Sequence, residues 1–372
     1  MNFGFTEEQE LLRGEARKFL DQHAPIANVR KWVETPEGFS RELWAQMAEL
    51  GWTGLLVPEE HGGVGLDLVT LLVVLEETGR TLCPSPLISN SLAARAIALC
   101  GSPLQQARWL PELAQGTKIG TLAHLEVGDG LGVDHVRLEA RETDGGLRLD
   151  GAKCAVADAP AADLFVVSYR APGGAIGLGL VERGAAGVEV ESFEALDPSK
   201  SIGALRLDGV VLGSDAVLAS ADAGETLEAL LEIGAALVTA EGVGAAEGAL
   251  AITVQFANER EQFGKPIGTY QGVKHPLAEM FVDIESIKSL AYYAAWALDE
   301  GADDASVAVS RAKAYASCAL PKLGIDCVQL HGGVGYTWEY DIQLYLKRTK
   351  WLRPSFGDAD YHYERLAALG DA

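Results

Sequence analysis

Three features of the sequence predict an α+β fold whose layers are segregated along the chain. Residues 1–118 carry helical periodicity, and residues 119–218 change to short apolar runs broken by Asp-Gly, Gly-Gly and Pro-Gly signals. Long helical patterns then return. The expected domains follow these limits: an N-terminal helical domain over 1–118, a central antiparallel β-domain over 119–218 and a C-terminal helical domain over 219–372.

The first helix is predicted where Thr6 and Gln9 form a capping-box pattern before Glu10-Leu-Leu. Helical patterns follow at 40–50, 66–79 and 88–99, and Val57-Pro-Glu-Glu-His-Gly-Gly-Val-Gly65 is a loop by composition. Strands are expected at 136–140, 147–149, 164–168 and 187–191 as part of an antiparallel sandwich or barrel. Helices are expected again at 226–261, 271–300, 305–330 and 342–349.

The chain has 372 residues, enough for two or three domains, and its mixture of 48 % hydrophobic and 22 % charged residues is globular. A net charge of -23 opposes nucleic acid and anionic membranes, because both would repel it. An anionic ligand would need local positive charge, which makes individual Arg and Lys residues informative. The cysteines (Cys83, Cys100, Cys154, Cys318 and Cys327) form no CxxC pair, so neither a zinc site nor a disulfide framework is expected. The acidic start MNFGFTEEQELL lacks a signal pattern and no run of 18 apolar residues occurs, so the expectation is a cytoplasmic protein without a membrane span.

Two segments could carry chemistry. Arg260-Glu-Gln-Phe-Gly-Lys-Pro-Ile-Gly268 closes a long helix, and Gly264 and Pro266 explain the stop by themselves. A permanently charged Arg beside a Gly-rich bend also suits a pyrophosphate. Gln329-Leu-His-Gly-Gly-Val-Gly335 places three glycines in four positions after another long helix, which permits close backbone approach to a ligand or merely a loop.

Together, after a β-rich middle third, these segments resemble the FAD-dependent acyl-CoA dehydrogenases, and Pro-Glu-Glu-His-Gly-Gly-Val-Gly65 with its following helix resembles that family's first domain. The resemblance covers nearly the whole chain. It implies a C-terminal four-helix bundle and assembly as a homo- or hetero-tetramer. Arg260, Gln262, Phe263, Gln329, Gly332 and Gly333 would touch the FAD of a neighbouring subunit. It also implies an acyl-CoA substrate, an electron-transfer acceptor, and loss of a Cα proton and a Cβ hydride to leave a 2-enoyl-CoA. A carboxylate is the usual base.

The same comparison exposes departures. Phe356 stands where a Glu-Gly pair usually carries the base, and the alternative position falls at Gly234. Glu241, seven residues beyond Gly234 on an apolar stripe, is the remaining candidate: either a base or a buried acceptor paired with a neighbour. Asp358 and Asp360 are further candidates for the base, though a solvated or capping role is the first reading of both. Leu125-Glu-Val-Gly-Asp-Gly-Leu-Gly-Val133 keeps little of a Thr-Glu-Pro…Gly-Ser-Asp stretch. Lys153-Cys-Ala-Val-Ala-Asp158 lacks the aromatic and hydroxyl expected beside a flavin, and Glu232-Ile-Gly-Ala235 lacks a CoA-facing Arg. Groups for a neighbour's FAD are therefore kept and those for the chain's own flavin, substrate and base are weakened. The leading reading is FAD-dependent dehydrogenation of an acyl-CoA by a subunit of a homo- or hetero-tetramer, with Glu241 as the candidate base. The asymmetry raises the alternative of a subunit without turnover that completes the FAD site of a paralogous acyl-CoA dehydrogenase partner, and a flavin oxidase or monooxygenase on the same fold is the third reading.

The remaining residues read as bland. No His pair has metal-ligand spacing, so no metal is expected. Trp338 and Tyr340 read as core aromatics, and Lys347, Arg348 and Lys350 as a solvated helix end.

Overall fold

A computed structural model describes residues 5–35, 37–128, 130–218 and 223–370. Asp129, within the divergent 125–133 stretch, and Ala219, at the expected start of the last domain, lie outside them. The helices of the first third are α1 Glu7–His23, α2 Ile26–Trp32, α3 Arg41–Glu49, α4 Leu68–Arg80, α5 Leu87–Cys100 and α6 Pro103–Ala114. The strands are β1 Gly120–Ala123, β2 Ala140–Thr143, β3 Gly146–Ala157, β4 Leu164–Arg170, β5 Ile176–Glu182, β6 Val188–Phe193, β7 Ile202–Leu212 and β8 Val217–Leu218. Then come α7 Ala223–Glu259, the short pair β9 Glu261–Gln262 and β10 Lys265–Pro266, α8 Gln271–Glu300, α9 Ala305–His331, α10 Ile342–Leu352 and α11 Ala359–Gly370. This is the segregated α+β order expected.

Local chemistry accounts for several boundaries. The Thr6–Gln9 capping box is formed in both directions, and Ser102 with Gln105 repeats it at α6, where Pro103 occupies the first turn. The same sequence signal therefore marked α6, which the periodicity alone had not singled out. The expected strand at 136–140 is displaced: the strand starts at Ala140, after a 3₁₀ turn at Val133–His135. The reason is a side chain, since Glu126 Oε1 accepts the amides of Arg137 (3.0 Å) and Leu138 (3.1 Å) that a neighbouring strand would otherwise use.

The chain groups into two compact units. One comprises Trp32–Asp67 and Pro84–Gly234. Its strands form two four-stranded sheets, ordered β1-β4-β5-β8 and β2-β3-β7-β6. Pairing is antiparallel, as expected, apart from β1 and β4, which run parallel. Inward residues such as Leu149, Val156, Phe165, Val167, Tyr169, Leu205 and Leu212 fill its core. Asn90 on α5 is buried and joins separate segments: its Nδ2 donates to Leu113 O (3.1 Å) and its Oδ1 accepts the Gly120 amide (3.1 Å).

The other unit comprises Met1–Lys31, Leu68–Cys83 and Ala235–Ala372. Here α4 and the part of α7 in this unit pack backbone to backbone. A Cβ on Gly79 would lie 2.0 Å from Glu241 O, and one on Gly244 would lie 1.7 Å from Glu76 O. The Ala/Gly-rich run of α7 is thus a close-packing face. α7 is long and apolar enough to cross a membrane, yet its apolar 18-residue stretch is 89 % buried inside the protein, as befits a core helix. Carboxylates beside it are paired: buried Glu77 with Arg17 (2.7 Å) and Arg80 (2.6 Å), and buried Glu76 and half-buried Glu247 with Lys288.

Candidate functional site

The two motif segments emerge at the ends of α7 and α9. At the first, the Arg260 amide donates to Phe256 O (2.8 Å) and Ile267 N–H returns to Arg260 O (2.8 Å). β9 and β10 pair Gln262 with Lys265 across a two-residue turn in which Phe263 (φ 55°) and Gly264 (φ 78°) are both left-handed. A bulky residue rarely adopts that conformation. Phe263 does so with its side chain 94 % exposed, while Tyr270 Oη donates to Gln262 O (3.0 Å) beneath the hairpin. Arg260 and Gln262 are exposed as well.

At the second, Gln329, Gly332 and Gly333 are exposed at the end of α9, where Gly332 (φ 64°) turns the chain into a short 3₁₀ helix, Gly332–Tyr336. The glycines differ in their reasons. A Cβ on Gly335 would meet Val328 O at 2.7 Å and His331 Cβ at 2.9 Å, so packing demands its absence. Nothing lies within 4 Å of a Cβ on Gly333. Gly335→Ala is therefore expected to cost about 1–3 kcal/mol by overpacking. Gly333→Ala should stay within about 0.5 kcal/mol of wild type. Urea denaturation of both variants checks the contrast, and equal losses would count against it.

The segments are brought together. Phe256, one turn before Arg260, stacks on His331 at 4.4 Å between centroids. Trp338 and Tyr340, expected in the core, are instead 49 % and 39 % exposed, and Trp338 lies between Arg30 (5.0 Å) and Lys347 (5.1 Å).

Glu241 is elsewhere in character. It is 3 % exposed and its Oε1 accepts from Arg348 Nη1 at 3.1 Å. Arg348, expected at a solvated helix end, is 0 % exposed; α10 carries it inward because Glu241 and Leu82 O (3.5 Å) supply acceptors there. This contact pairs Glu241 with a neighbour.

Phe356 (φ 55°) packs against an alanine-rich cluster of the bundle that includes Ala235, Ala294 and Ala308. Its turn is held from two sides. Lys313 Nζ donates to Ser317 Oγ (2.7 Å), Arg353 O (3.0 Å) and Gly357 O (2.6 Å), and His362 Nε2 donates to Phe356 O (2.9 Å). Burial pushes the His362 imidazole down to about 4, keeping it neutral. Asp358 Oδ1 accepts the Tyr361 amide (3.2 Å) as a helix cap, and Asp360 is exposed in the same first turn.

In the β-unit, Lys153 is fully buried and its Nζ reaches Glu126 Oε1 (2.6 Å) and Ser168 Oγ (3.2 Å), while burial lowers its pKa. Glu126 and Lys153 are thus structural. Ala155 (φ 47°) and Asp158 (φ 53°) mark a distorted strand end, where Ser89 Oγ donates to Asp158 Oδ2 (2.5 Å). Sequence reading missed Lys313, His331 and the Glu126–Lys153 pair. Lys313 could have been noticed as a lone charge in an alanine-rich helical run.

Family models match the two outer parts of the chain, and relatives match nearly all of it. Residues 6–117 match the acyl-CoA dehydrogenase N-terminal domain and residues 225–369 the C-terminal domain. The acyl-CoA dehydrogenase IpdE2 of Mycolicibacterium smegmatis is 30% identical over 98% of this chain and 99% of its own length. Among solved structures, the Tcur3481-Tcur3483 steroid ACAD variant superposes with a TM-score of 0.89 at 33% identity, covering 98% of both chains. The ChsE4-ChsE5 complex of Mycobacterium tuberculosis superposes with a TM-score of 0.92 at 28% identity over 100% of both. The chain belongs to the acyl-CoA dehydrogenase family, whose cofactor is FAD.

Proposed function

We propose that the chain is one subunit of a heteromeric acyl-CoA dehydrogenase that converts an acyl-CoA thioester into a 2-enoyl-CoA, and that it completes an FAD site carried by a paralogous partner. The observation that carries this reading is a contrast. The six candidate FAD residues stand exposed on two adjoining segments, whereas Phe356 and Glu241 are engaged in the chain's own packing. The domain division at 118/119 and 218/219 belongs to the same proposal. The Tcur3481-Tcur3483 steroid ACAD and the ChsE4-ChsE5 complex, to which the chain is similar, support a paralogous partner and a bulky polycyclic acyl group.

When bound, FAD would supply the acceptor for the hydride lost from Cβ of the thioester. This chain's part is binding and orientation. Arg260 offers a permanent cation to a pyrophosphate in a protein of net charge -23. Gln262 and Gln329 offer amide donors and acceptors, Phe263 an apolar face, and Gly332 and Gly333 backbone that a bound group can approach. The open space at Gly333 fits that role. The base that takes the Cα proton then comes from the partner, and electrons leave to an external acceptor protein.

The test is co-expression with a paralogous acyl-CoA dehydrogenase subunit. A yellow complex is expected, with Arg260→Ala reducing its retained FAD at least tenfold, as a lost charge-assisted pair would. A chain that binds one FAD per subunit alone and reduces an acceptor with acyl-CoA would refute the partner role. Glu241→Gln in the complex should leave turnover within about threefold of wild type. Abolished turnover in a folded variant would restore Glu241 as the base, the role its ion pair with Arg348 weighs against.

A further inference from the structure

The stack between α7 and α9 is not needed for either helix to end. Phe256 and His331 lie face to face, 4.4 Å apart with their planes at 25°. Tyr340 meets both edge-on, at 6.2 and 6.3 Å. His331 is 6 % exposed, and its Nδ1 donates to Cys327 O at 2.8 Å, since a carbonyl can only accept. Burial lowers the imidazole pKa, so the ring stacks as a neutral aromatic. The glycine segment is moulded on this residue: Gly335 approaches so closely that an added Cβ would lie 2.9 Å from His331 Cβ. The hairpin is tied to the other ring, because the Arg260 amide bonds to Phe256 O.

We infer that His331 is a positioning residue which, stacked on Phe256, holds the Gln329–Gly335 segment at a fixed offset from the Arg260–Gly264 hairpin, so that both meet one ligand as a unit. The ligand half of this inference rests on the shared FAD site proposed above. Helix ends fray independently, and a ligand that touches two of them must order both unless they are already joined. The stack joins them where α7 and α9 leave the bundle. Packing alone would need no such link: each ring could be replaced with loss confined to its own segment.

Hydrogen exchange on the full chain separates the two cases without any ligand. The amides of Arg260 and Ile267 report the hairpin, and those of Gly332 and Thr337 report the glycine segment; all four are hydrogen-bonded. Phe256→Leu and His331→Leu are each expected to speed exchange in both segments by about tenfold, and His331→Phe, which keeps the stack, to restore it. If each leucine variant loosened only its own segment, the inference would be overturned. The second readout is retained FAD in the co-purified complex, with Arg260→Ala as reference. His331→Leu should lose about tenfold and His331→Phe should recover. Coupled exchange in a complex whose FAD content ignores Arg260→Ala would sink the shared FAD site but keep the link. Sensitivity to Arg260→Ala with none to His331→Leu would sink the positioning role.

Discussion

Arg348→Met is expected to destabilise the chain by about 3–5 kcal/mol, the usual cost of removing one partner from a buried ion pair. Arg348 is 0 % exposed and Glu241 is 3 % exposed, so neither charge can turn to water. Their contact at 3.1 Å compensates a desolvation cost that both incurred on folding. Methionine fills much of the space but leaves the carboxylate buried beside a thioether. The double variant Arg348→Met/Glu241→Leu removes the second charge too, and should recover more than half of the loss. Urea denaturation of the three proteins measures this. Single and double variants equally unstable would mean that packing, rather than the ion pair, matters at this crossing.

The second large effect is expected at Lys313. Its ammonium has three hydrogens and meets three acceptors, Ser317 Oγ, Arg353 O and Gly357 O, whereas a neutral amine could serve only two. Burial opposes this by pushing the amine down to about 7, with Asp358 favouring the charge and Arg353 opposing it. Lys313→Met strands those buried carbonyls under the Phe356 turn and should cost about 2 kcal/mol at pH 7. The pH dependence has a definite sign. Between about 7 and the ordinary 10.5 the unfolded chain holds more protons at this site than the folded one, so wild-type stability rises with pH. Below about 7 both states are protonated and the contribution is level at its minimum. The gap between wild type and Lys313→Met should therefore widen from pH 7 to pH 9.5. A narrowing gap would show that the three acceptors outweigh burial and hold the ammonium charged.

Much of the fold is local in origin and was readable as such. The capping box at Thr6, the helical periods of α8 and α9 and the glycine turns depend on neighbours a few residues apart. The hairpin at Phe263 and Gly264 and the segment from Gln329 to Gly335 are equally local, and they carried the family resemblance. Even the displaced strand at Val136 was hidden by a contact from only 11 residues away, the Glu126 carboxylate on the Arg137 amide.

The sequence by itself determined the α+β order, which follows from spacing along the chain, and its two motif segments carried the resemblance that identified the family. Tertiary structure alone decided which partners the charged and aromatic residues meet. Glu241 and Arg348 are 107 residues apart, Lys313 and Gly357 are 44 apart, and Phe256 meets His331 from a different helix. A carboxylate on an apolar helix face reads the same whether it awaits a substrate proton or a buried guanidinium. Only the fold determines which partner shares its desolvated space.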